Sequence, residues 1–153
     1  MSDQPPDALD HQGRRIGMIA VIQRNNRLLT IRRAASVRKP GKVCFPGGGL
    51  WRGEEEEAAV RREVKEELGL TVRPIACLDR SVSPWGTSLR WYLCQLVGRP
   101  YLELKTHEVA EVFWCHPETL LNHPDLLESN APFLERWLRG EFREFVASLE
   151  TGS

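Results

Sequence analysis

The sequence predicts an α/β fold in which a mixed sheet lies between helices, and three observations carry that expectation. Short apolar runs rich in β-branched residues recur through the first three quarters of the chain. One helical-period segment interrupts them just after a run of glycines at 47–49, and beyond residue 116 the period becomes helical throughout. The 153 residues suffice for one domain with a sizeable core and are too few for two ordinary ones. Residues 1–13 are polar and proline-bearing and are expected to form a flexible N-terminal tail, leaving 14–153 as a single domain.

Taken in order, residues 16–23 (IGMIAVIQ) and 28–32 (LLTIR) read as two strands joined by a polar turn. Residues 32–41 follow as a strongly basic loop, in which Arg32 and Arg38 are candidate phosphate contacts. Residues 43–45 form a short strand, and Pro46-Gly47-Gly48-Gly49 is expected to turn the chain sharply, in a conformation that glycine tolerates. Glu54 and Glu55 are placed in the first turn of the following helix, where its dipole favours acidic groups. Residues 71–83, interrupted by Pro74, and 88–97 read as strands around a Pro84-Trp85-Gly86-Thr87 turn, and 108–114 as another. Helical segments are expected from Pro117, over 132–138 and over 141–149.

Composition narrows the function. Twenty-one basic and twenty-one acidic residues cancel, so no global basic field draws in a nucleic-acid polymer or an anionic membrane, and a phosphate ligand must be held locally. Cys44, Cys77, Cys94 and Cys115 stand singly, with no C-x-x-C pair, which reads as free thiols rather than zinc ligands or a disulfide framework. No apolar run approaches the roughly 18 residues of a membrane span. A cytoplasmic protein is the resulting expectation, and a homodimer stays open.

The chemistry concentrates in residues 48–70, GGLWRGEEEEAAVRREVKEELGL. Glu63, Glu66 and Glu67 stand at i, i+3 and i+4, so at about 100° per residue they share one face within one turn. Three crowded carboxylates repel, and locally only Arg62 and Lys65 could offset them; a hard divalent cation would also do so. Val60, Val64 and Leu68 form the adjoining apolar stripe that would seat the helix on a sheet, and Gly69 closes it. An ordinary solvated helix is the plain alternative, but so many specified positions would coincide in on the order of one random window in a billion.

This stretch resembles the signature box of the Nudix hydrolases in full: Gly48, five residues, Glu54, seven residues, then Arg62-Glu63-Val64-Lys65-Glu66-Glu67-Leu68-Gly69-Leu70. The resemblance covers about residues 17–114 and implies a Nudix-type α/β/α sandwich with a mixed sheet. It implies that Glu63, Glu66 and Glu67 bind or orient Mg²⁺, with Mn²⁺ an alternative, and that the Gly47 carbonyl completes the site. Arg62 would orient the catalytic glutamates rather than touch substrate, and Glu54 would support the helix start and the metal shell. The resemblance also implies a further carboxylate from a segment beyond the sheet, just ahead of an aromatic residue, with Glu108, six residues before Trp114, the candidate and Glu111 the alternative. Trp51 stands where many mutator-type (MutT-like) members carry an acidic residue. With Trp85 it is a candidate stacking platform for a nucleobase.

The activity implied is metal-assisted hydrolysis of a nucleoside diphosphate linked to another moiety, an oxidised nucleoside triphosphate among the options. Residues 28–32 with Gly41 and 45–48 also resemble, imperfectly, the upstream motif of coenzyme A diphosphatases, because Arg33 and Val37 depart from it. An ADP-ribose preference finds weak support in Pro84 near Gly86. From another class, a non-catalytic nucleotide sensor would lack box glutamates, and none is missing.

Overall fold

The computed structural model describes residues 4–151. Strands β1 (Ile16–Arg24), β2 (Arg27–Arg33), β3 (Val43–Cys44) and β4 (Gly47–Gly49) precede helix α1 (Glu56–Leu68). Strands β5 (Val72–Val82), β6 (Ser88–Leu96) and β7 (Val109–Cys115) follow, and the chain closes with α2 (Pro117–Leu121), a 3₁₀ turn (Glu128–Asn130), α3 (Ala131–Leu138) and α4 (Arg143–Thr151).

The sheet is mixed, with the path β3-β2-β1-β6-β5, β4 on β1 and β7 on β2. Among the described strands, β1 and β6 alone pair in parallel. Strand β1 divides its partners. Its last residues pair with β2 (Gln23 with Leu28), while its first turn away to β4 (Gly17 with Gly49).

Alternation along β1 supplies both faces. Ile16, Met18, Ala20 and Ile22 join Ala59, Val60, Val64 and Leu68 of α1 in one core. Val21 points the other way, into a core with Trp91, Phe133, Leu134 and Phe142. There Trp91 and Phe133 stack at 4.5 Å and Phe133 and Phe142 at 5.0 Å, which fastens the C-terminal helices to the sheet. The expected apolar stripe of α1 is therefore buried, and the helices lie on both sides of a mixed sheet.

Helix α1 ends as the sequence suggests. Gly69 adopts φ 74°, and its N–H donates to the Lys65 carbonyl. The next orphan carbonyls are met from afar: Glu103 N–H donates to Leu68 O at 2.8 Å and Lys105 N–H to Glu67 O at 2.9 Å.

Three expectations need correction. The helix begins at Glu56, so Glu54 lies ahead of it, not in its first turn. Gly47–Gly49 is not a turn but a short strand, and none of the three has a positive φ. Their glycine identity answers to space instead: a Cβ on Gly47 would overlap the Met18 carbonyl oxygen, and one on Gly48 would overlap the Glu63 carboxylate. Lastly, the segment expected to be a flexible tail is paired over its described part. Ala8 N–H donates to Leu50 O at 2.9 Å, Arg52 N–H donates to Pro6 O at 2.8 Å, and Asp7 bridges Trp51. Main-chain groups make these bonds, so side-chain polarity gave no sign of them. Residues 1–3 of that expectation lie outside the described residues.

Candidate active site

The helix spacing brings Glu63, Glu66 and Glu67 to one face, and the glycine strand beside them fixes two. Glu67 is buried, 6% exposed, and its Oε1 accepts the Gly47 N–H at 2.8 Å. Gly47 thus meets the buried end of the cluster through its N–H. Burial pushes the Glu67 carboxyl up to about 8, with the charge of Glu63 adding to it and the Gly47 N–H opposing it. Glu63 packs against Gly48, and burial raises its carboxyl too, against the lowering effect of Arg62. Glu66 is more exposed and reaches Arg62 at 3.5 Å.

Arg62 is the hub of this arrangement. Its Nε and Nη2 donate to the two oxygens of Glu54 at 2.8 and 2.9 Å, Nη1 donates to Glu63 Oε1 at 2.7 Å, and Nη2 also reaches the Gly49 carbonyl at 2.8 Å. The Trp51 ring covers the guanidinium at 3.5 Å. Burial alone would lower the Arg62 pKa, but the bonds to Glu54 and Glu63 outweigh it and raise it. Glu54 is held below the ordinary carboxylate range by Arg62.

Of the two candidate carboxylates, Glu108, which lies in the turn just ahead of β7, is on the cluster side. Its charge raises the carboxyls of both Glu63 and Glu67, and it pairs with Lys105 at 3.2 Å. Glu111 lies elsewhere, with its Oε1 2.6 Å from Arg32 Nε.

Beside the glycines opens a cavity of about 690 Å³, which Arg33, Arg38, Lys39, Gly48, Gly49 and Trp85 help to line. Trp85 is 42% exposed, with the Lys39 ammonium 4.5 Å from its ring centre. Two candidates are not brought here. Arg32 is engaged by Glu111, by Asp125 at 2.9 Å and by the Gly41 carbonyl, and Trp51 is covered by Arg62. Sequence reasoning missed Arg33, although strand alternation held the signal: Leu29 and Ile31 face the α1 side, and Arg33 is next in that series. It also missed Asp7, Arg15 and Lys39 on the cavity wall.

Carboxylate oxygens are hard donors, and a divalent cation would relieve the burial of Glu67 and the mutual repulsion of the cluster, so these residues fit Mg²⁺ or Mn²⁺. Among the described residues no three acidic, His or Cys side chains already surround one point. Arg62 occupies Glu63 Oε1, and Gly47 occupies Glu67 Oε1.

Comparison with known proteins decides the family: the NUDIX domain matches residues 11–137 of this chain. The protein belongs to the Nudix family. Among curated relatives, the CTP pyrophosphohydrolase of Escherichia coli K12 is 31% identical over 123 residues, covering 78% of this chain and 87% of that protein. The 8-oxo-dGTP diphosphatase of the same organism is 35% identical over 85 residues, covering 50% of this chain and 63% of that protein. The crystal structure of the MutT protein from Methanosarcina mazei Go1 superposes with a TM-score of 0.69 at 24% identity, over 91% of this chain and 97% of that one, a likeness of fold. This is a Nudix hydrolase, then, with the mixed sheet and flanking helices of that fold. Among its described residues no helix is long and apolar enough to cross a membrane.

Proposed function

We propose that this Nudix hydrolase is a Mg²⁺-dependent pyrophosphohydrolase that converts a nucleoside triphosphate and water to the monophosphate and pyrophosphate. One observation carries the reading: an exposed aromatic ring and a set of cations share one cleft, and its glycine wall packs on a glutamate of the carboxylate cluster. Trp85 offers the face on which a base would stack, Arg33, Arg38 and Lys39 offer charge to a polyphosphate, and Gly48 meets both the cavity and Glu63. The similarity to a CTP pyrophosphohydrolase across most of both chains supports the triphosphate class.

Glu63, Glu66 and Glu67 would hold the cation, which when bound neutralises phosphate charge and makes a water more acidic. Glu63 or Glu108 accepts the proton of the attacking water, the P–O anhydride bond breaks, and pyrophosphate leaves with its electron pair. Burial of Glu63 raises its basicity towards that task. Arg62 touches no substrate in this scheme and fixes the Glu63 carboxylate. The four free thiols suit a reducing cytoplasm.

A screen of nucleoside triphosphates, an oxidised triphosphate, ADP-ribose and coenzyme A, each with Mg²⁺ and with EDTA, tests the proposal. Metal-dependent release of pyrophosphate from a triphosphate supports it. Turnover confined to ADP-ribose or coenzyme A, or none at all, overturns it.

A further inference from the structure

Resting on the triphosphate reading above, we propose that Asp7 and Arg15 select the nucleobase. They favour an edge that sets an amino group beside an unprotonated ring nitrogen, as in cytosine, over the edge of uracil. The two residues line the cavity that Trp85, Gly48 and Gly49 also line. Asp7 is fixed there by the backbone pairing of residues 6–8 with 50–52, and its Oδ1 lies 3.8 Å from the point where a Gly49 side chain would begin. Arg15 is fixed just ahead of β1 by the Ser88 N–H, which donates to its carbonyl at 2.8 Å.

Asp7 Oδ2 and Arg15 Nε stand 3.2 Å apart. A carboxylate has a second oxygen and a guanidinium further N–H groups, so the pair presents an acceptor and donors side by side. A cytosine edge answers both: its amino group donates to Asp7, and its N3 accepts from Arg15. Held in that same pose, a uracil edge answers neither, since its O4 meets a carboxylate and its N3–H meets a donor. Gly49 puts no side chain on this wall and leaves the base room to approach the pair while its ring lies against Trp85.

CTP and UTP differ only at that edge, so their ratio isolates it. The experiment measures kcat/KM for both with the wild type and with Asp7→Asn, and the equilibrium binding of CMP and UMP without metal. The wild type is expected to favour the cytosine member at least about tenfold in both assays. Asp7→Asn, whose amide can donate to O4, is expected to bring both ratios close to one through KM, with kcat changed less than about twofold. Should thermal melting show that this variant does not fold, Arg15→Gln supplies the same ratio from the other partner. Equal handling of the two bases by the wild type, or a wild-type ratio in the variants, overturns the proposal. If the wild type cleaves no triphosphate, the activity assigned above falls, and the CMP to UMP binding ratio still decides this one.

Discussion

Arg62 and Glu63 are sequence neighbours whose side chains meet across the mouth of the site, Nη1 donating to Oε1 at 2.7 Å. The same guanidinium holds both oxygens of Glu54, so one residue ties the carboxylate ahead of the helix to a carboxylate on it.

Arg62→Ala is therefore expected to lower kcat more than it raises KM, because it frees Glu63 without removing a substrate contact. It also strands Glu54 without its partner at a mostly buried position, at a cost of about 3 kcal/mol in urea unfolding. A pure KM effect would show that Arg62 binds substrate.

Glu67→Gln keeps the shape of the side chain and removes its charge. Turnover is expected to fall by about two orders of magnitude or more, while the metal-free protein melts no lower than the wild type at pH 8, since a buried charge has gone. Near-wild-type turnover at saturating Mg²⁺ would remove Glu67 from the site.

The same burial predicts a pH profile. The folded-state Glu67 pKa, about 8, lies above the ordinary 4.5, so folding favours the protonated form. Its contribution to stability is full below about pH 4.5 and is lost as pH rises towards 8. Glu63 acts in the same direction, whereas Glu54, held low by Arg62, loses its contribution only in acid, below the ordinary carboxylate value. Urea midpoints in EDTA should thus decline from pH 5 to 8, with a shallower decline in Glu67→Gln and a larger gain from added Mg²⁺ at pH 8 than at pH 6. A flat profile in the wild type contradicts the burial argument.

Neighbouring glycines are expected to separate folding from catalysis. In Gly48→Ala the new methyl meets the end of the Glu63 side chain, which can move aside, so activity should fall more than stability. In Gly47→Ala it meets the Met18 backbone, which cannot yield without parting β4 from β1, so thermal stability should fall by several degrees or more. Equal melting temperatures for the two variants would refute the distinction.

Trp85→Ala is expected to raise KM about fivefold or more, from the roughly 1 to 3 kcal/mol of one stacked base. Trp51→Ala should instead lower kcat, because its ring covers Arg62. Unchanged KM in a folded Trp85→Ala protein would move the base elsewhere.

Much of this was legible in the chain. The i, i+3, i+4 glutamates, the apolar stripe and the terminal Gly69 are local features whose geometry follows from helical repeat alone. Other features turned on what a residue type leaves undecided. Glycine permits a turn or a close approach, and composition does not say which, so Gly47–Gly49 read as a bend although it is extended. Basic residues at 32 and 33 look equivalent in sequence, yet alternation sends Arg32 to Glu111 and Asp125 and Arg33 to the cleft. The pairing of residues 6–8 uses main-chain groups that every sequence carries.

The main-chain bond from Lys105 N–H to the Glu67 carbonyl has a mechanical meaning. The stretch that delivers Glu108 is bolted to the helix at one of the helix's own carboxylate residues, and the Ala34 N–H holds the Glu108 carbonyl from the other side at 2.9 Å. Glu108 and Glu67, 41 positions apart in sequence, are therefore held in place by backbone bonds that a side-chain substitution at either position leaves intact.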